Sequence, residues 1–114
     1  MKTMDSPFHG KLAAGVQQLN LAAVQARADE GDADAQYTLG VFHHRLSLDP
    51  SRGGKVESLI QAYLWLHRAA VQGHKDSLAA WERVTMSMTR PDIAEANRRA
   101  SAFAPRPAAA PQDP

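Results

Sequence analysis

Apolar residues recur at helical spacing along most of the chain. Leu12, Val16, Leu19, Ala23 and Ala26 fall on one stripe, while Leu21, Val24 and Ala28 lie on the opposite side. This first segment is therefore one helix, or two broken near Asn20, and Gly31 ends it. Asp32 is placed to cap the next helix, with Asp34 favourable in its first turn. There Ala35, Leu39, Phe42 and Leu46 share one face, and Tyr37, Val41 and Leu48 nearly the opposite one. Two apolar faces predict a helix clamped between neighbours, with Gln36, Gly40, His43 and Ser47 in a polar sector between them. Residues 47–56 read as a loop, marked by Asp49-Pro50 and Gly53-Gly54.

The segment from Glu57 to Gln72 is apolar around most of its circumference, with a polar strip of Gln61, Arg68 and Gln72. Such a pattern predicts the central buried helix, ended by Gly73. A fourth helix, about Lys75 to Met88, turns Leu78, Trp81, Val84 and Met88 inward and Lys75, Asp76, Glu82 and Arg83 outward. Thr89-Arg-Pro-Asp92 is a start signal, Thr89 or Arg90 being the cap. The last helix puts Ile93, Ala96, Ala100 and Phe103 on one face and Glu95, Arg98 and Arg99 on the other. The fold class predicted is all-α, with about five helices.

A shift of 42 residues lays Gly31 on Gly73, Leu39 on Trp81 and Phe42 on Val84. Helix-pair units of that length are the scale of α-solenoids, in which each unit buries its apolar faces against its neighbours. The stretches GDADAQYTLGV (31–41) and QAYLWLHRAAVQGH (61–74) strongly resemble the Sel-one-like repeat family. The closing MTRPDIAEANRRA (88–100) is similar to the end helix of its short bacterial members. The resemblance covers about residues 21–103 and implies a tetratricopeptide-type α/α solenoid of antiparallel helix pairs. The chain divides into a flexible N-terminus (1–10), a repeat domain (11–103) and a Pro/Ala-rich tail (104–114), read as disordered because it has no large apolar side chain to bury. Within the domain a complete repeat spans about 31–73 and a degenerate capping unit 74–103. Two departures stand out: the first loop is longer than the family's, and Gly40 has Glu82 as its counterpart in the second unit.

Physical reasons for the pattern exist apart from the name. Ala35, Ala69 and Ala70 are small where helix backbones approach, and Gly40 lacks a side chain at a cost of about 1 kcal/mol relative to Ala. Tyr63 and Trp65 supply large packing areas with polar tips. Composition agrees: of the 114 residues 21 are Ala, whereas Val and Ile together number eight, too few for a sheet. There is no cysteine, which excludes disulfide scaffolds, thiolate nucleophiles and Cys-ligated zinc. With 13 Lys+Arg against 12 Asp+Glu, charge gives no reason to expect nucleic acid or an anionic membrane. No secretory leader or membrane-spanning run is legible, and the default expectation is the cytoplasm.

Candidate chemistry is sparse. His43 and His44 are adjacent and point about 100° apart on a helix. His67 sits in an apolar sector and reads as a hydrogen-bonded core histidine, and His74 as a helix-capping residue. A small metal-dependent or hydrolytic enzyme using His43, His44 and His67 is the alternative function, and a structural homo-oligomer joined through exposed end faces is another. No HExxH, GxSxG or phosphate-cradling glycine loop occurs, so an enzyme and a cofactor are not expected. The acids of 29–34 lack the spacing of a calcium loop. What the family resemblance implies is an adaptor that binds a protein or peptide on its concave face, lined by the first helix of each pair. On this chain that face offers Gln36, His43, His44, Ser47 and Arg83 as exposed candidates.

Overall fold

A computed structural model describes residues 21–102, and over them the chain is all-α, with five helices and no strand. Residues 21–29 are the described part of α1. The others are α2 (Ala33–Ser47), α3 (Lys55–Val71), α4 (Ser77–Thr85) and α5 (Arg90–Ala102). Leu12, Val16, Leu19, Phe103, the 1–10 segment and the 104–114 tail lie outside the described residues. Among those described, no helix is long and apolar enough to cross a membrane.

The helix boundaries follow from local chemistry. Gly31 has φ 104° and Gly73 φ 92°, a left-handed conformation that side chains disfavour. Each stops its helix with the same pair of backbone bonds. The Gly31 N–H donates to Ala28 O at 3.0 Å and the Asp32 N–H to Arg27 O at 3.0 Å. The Gly73 N–H donates to Ala70 O at 2.9 Å and the His74 N–H to Ala69 O at 3.0 Å, the same pairs 42 residues later. α2 then starts on Asp32, whose Oδ1 accepts from the Ala35 N–H at 3.1 Å. α5 starts on a reciprocal cap: the Asp92 N–H donates to Thr89 Oγ1 at 3.2 Å, and the Thr89 N–H to Asp92 Oδ2 at 3.4 Å.

α3 is the centre of the packing, as its apolar circumference predicts. One side of it, through Trp65, meets Val24, Ala28, Ala35 and Leu39 of α1 and α2. The other side, with Leu59, Ile60, Tyr63 and Leu66, meets Ala80 and Val84 of α4 and Ala96 of α5. α2 and α3 run antiparallel: Gln72 near the end of α3 bonds to Gln36 near the start of α2, and Gly40 faces Leu66. A Cβ at position 40 would stand 2.4 Å from Leu66 Cγ, so the glycine is what lets α2 and α3 close to this distance.

Several expectations are corrected. α4 is shorter than 75–88, and Leu78, expected inside, is 53% exposed. The buried stripe of α4 is instead Ser77, Ala80 and Val84, because small residues are what fit against α3. Leu48 is exposed just past the end of α2 and does not extend its second apolar face. On α1 the inward stripe is Val24 and Ala28, with Leu21 partly buried, while Ala23 and Ala26 are exposed.

Candidate functional site

The face shared by α2 and α4 brings some of the expected residues together and withdraws others. Tyr37, Val41 and His44 recur along one side of α2, with exposed Leu48 just past its end, and Ala79 and Arg83 along one side of α4, with exposed Met86 just past its end. The two helices lie side by side in parallel. At one end Tyr37 stacks on His74, which precedes α4, with ring centroids 4.6 Å apart. At the other end the Arg83 guanidinium is near enough to His44 to disfavour its charged form.

Gln36 and Ser47 are not part of an exposed face. Gln36 is 5% exposed: its Nε2 donates to Ala28 O at 3.1 Å, and its Oε1 accepts from Gln72 Nε2 at 2.9 Å. Gln72 Nε2 also donates to Gly31 O at 2.9 Å, so the two amides tie the end of α1 to α2 and α3. Ser47 is buried too, its hydroxyl donating to His44 O at 2.6 Å in the last turn of α2. Both polar groups are used up internally, as buried polar groups must be. A polar residue in a sector between two apolar stripes is here a core hydrogen-bonding residue.

His43 and His44 are both partly buried. Burial holds the His43 pKa below the usual histidine value, and Glu57 across on α3 opposes that shift. Burial lowers His44 as well, with Arg83 adding to the effect. Both imidazoles are therefore biased toward the neutral form. Arg83 is exposed and has no carboxylate partner among the described residues. The strip from His44 and Leu48 to Arg83 and Met86 thus pairs exposed apolar surface with an available positive charge.

His67 departs from expectation. It is exposed on α3, stacked beside Tyr63 at 6.3 Å and tilted against Trp81 at 5.8 Å between ring centroids. Its contacts are aromatic edges and faces. Tyr63 and Trp81 complete the cluster at 5.4 Å, and the Trp81 Nε1 is buried with no hydrogen-bond partner among the described residues. His43, His44 and His67 do not converge: among the described residues no group of three or more His, Asp or Glu is placed to hold a metal ion.

One constellation escaped the sequence reading. His74 Nε2 lies 3.1 Å from Asp34 Oδ1, and its Nδ1 2.9 Å from Ser77 Oγ. The ring thus bridges a carboxylate on one side and a hydroxyl on the other, its donor and acceptor roles following the tautomer. The residue types are those of a nucleophilic triad, but Ser77 is fully buried, so its hydroxyl meets no substrate carbonyl in this conformation. The set works as a clasp joining the first turn of α2 to the start of α4. The signal for it in the sequence was slight: a histidine after the helix-ending glycine, with a serine three residues on.

Compared with protein-family profiles, with characterised proteins and with solved structures, the chain gives no significant match.

Proposed function

We propose that the chain is a non-enzymatic protein-interaction module, an adaptor of the Sel-one-like repeat type, that holds a peptide along the face shared by α2 and α4. The observation that supports this reading is the exposed strip along α2 and α4 and just past their ends, in which partly buried His44 and exposed Leu48, Arg83 and Met86 combine apolar surface with a positive charge lacking a carboxylate partner among the described residues. Surfaces of this kind read a short segment by one or two apolar anchors and a charge. The fitting partner is a peptide bearing an acidic residue next to apolar ones. Gln36 and Ser47 leave the candidate set; His44 and Arg83 form its centre, and His43 lies at its margin beside α3.

A random peptide display library selected on the purified protein tests the reading. Enriched sequences should combine acidic and apolar residues and lose binding at least about tenfold on Arg83→Glu, since a charge contact is replaced by repulsion. Circular dichroism checks that the variant keeps its helices. If the wild type and a folded Arg83→Glu, His44→Glu double variant select the same peptides with equal affinity, the face is not the binding site.

A further inference from the structure

α5 is attached differently from every other helix. Of its 13 residues only Ala96 is fully buried, with Ile93 and Ala100 partly covered at the edge of the core. Its packing partner is α3; against α4, the helix that precedes it, it makes little contact. Around that small apolar contact, polar ties fix it. Tyr63 Oη donates to Asn97 Oδ1 at 2.5 Å. Arg99 donates through Nη1 and Nη2 to the two oxygens of Glu57, at 2.8 and 3.0 Å.

The helix also carries its own support. The Thr89–Asp92 cap fixes its start, and Glu95 accepts from Arg98 and from Arg99 within the helix. These bonds survive if α5 leaves α3. The link back to α4 is only residues 86–89, beginning with Met86 at 84% exposure. A self-capped helix on a short link, packed on a non-neighbouring element through directional contacts, can dock equally well on another copy of that element.

We propose that α5 is an exchangeable strap: it releases from α3 while the remaining helices stay folded, and the ledge around Glu57 and Tyr63 then accepts α5 from a second copy of the chain. The occupant is set by complementarity. The ledge offers a carboxylate for a two-pronged guanidinium and a phenol for an amide oxygen, and α5 supplies both at positions 99 and 97. A reciprocal exchange regains every one of these contacts. The proposal is independent of the peptide-binding reading and does not use the α2–α4 face.

Two charge-reversed chains test it. Glu57→Arg alone and Arg99→Glu alone each set like charges across the α3–α5 contact within one chain. Mixed, they restore opposite charges at both contacts only when α5 is exchanged between them. The expected result is a one-to-one heterodimer by native mass spectrometry in the mixture, with neither variant forming that dimer alone. In the wild type, amides 93–102 should exchange hydrogen at least about tenfold faster than those of 59–66, because the strap opens locally. Raising salt to about 1 M, where the screening length is about 3 Å, should lower protection of α5 about fivefold and leave α3 unchanged. A mixture that stays monomeric overturns exchange between copies. Equal protection of α5 and α3 at both salt concentrations overturns release, and that measurement stands even if the charge-reversed chains fold poorly.

Discussion

The α2–α3 hairpin closes on tightly packed side chains, whereas α5 adds to a small apolar contact with α3 a set of hydrogen bonds and ion pairs. Register explains much of the contrast. In the first pair Gly40 lets Leu66 pack against the backbone of α2. At the corresponding position of the second pair stands Glu82, which is exposed. The first pair is thereby closed by shape, while α5 adds to its apolar contact groups that water and salt compete for.

The largest effect should come from the two tryptophans. Trp65 is buried where α1, α2 and α3 meet, so Trp65→Ala is expected to cost about 3–5 kcal/mol. Trp81 is only partly buried and leaves its Nε1 without a hydrogen bond among the described residues, so Trp81→Ala should cost clearly less in the same urea titration. Equal losses would dissolve the distinction between the two pairs. Next in size is Gly40→Ala. An added methyl must displace Leu66, and the overpacking cost of about 1–3 kcal/mol exceeds the gain in helix propensity of about 1 kcal/mol. Glu82→Ala, at the matching exposed position, should stay within about 0.5 kcal/mol of wild type.

The smallest effect is the most selective. Arg99 first, then Gln61, holds the Glu57 carboxyl below its usual value. Arg98 first, then Arg99, takes Glu95 from 4.5 down to about 2. A carboxyl whose folded pKa is depressed stabilises the folded state above its unfolded pKa, and that contribution is lost as pH falls through the folded value. The window therefore opens near pH 4.5 and extends toward pH 2. The charged groups around Glu57 are Arg99 and Glu95 on α5 and His43 on α2. Glu57 is exposed and Glu95 partly so, and solvent screens both, so the effect is modest. Hydrogen exchange followed down this range should show α5 losing protection before α3, and Glu57→Gln should blunt the difference.

Much of the architecture was legible in the chain. The helix class, the central role of the segment from Glu57 to Gln72, the stops at Gly31 and Gly73 and the caps at Asp32 and Thr89 all rest on local chemistry that needs no partner. Side-chain destinations were less legible. Leu78 and Ser77 are neighbours on α4, and hydrophobicity favours the leucine for the interior, yet the close packing there admits the serine. His67 looked internal because Arg68 and Gln72 seemed to mark the wet strip of α3. Arg68 in fact lies over the Trp65 ring at 4.5 Å, and Gln72 reaches across to Gln36. Long polar side chains cover apolar surface, and their destination depends on a neighbour that one helix's periodicity does not contain. Gln36 failed as a surface residue for the same reason.

The matched endings at Gly31 and Gly73 have a practical corollary. The chain leaves one helix and enters the next segment with nearly the same backbone angle and the same two hydrogen bonds at both places. A seam cut after one glycine can be joined to the segment that follows the other without a new bend at the junction. The two junctions are accordingly interchangeable in backbone direction, whatever the segments that follow them pack against.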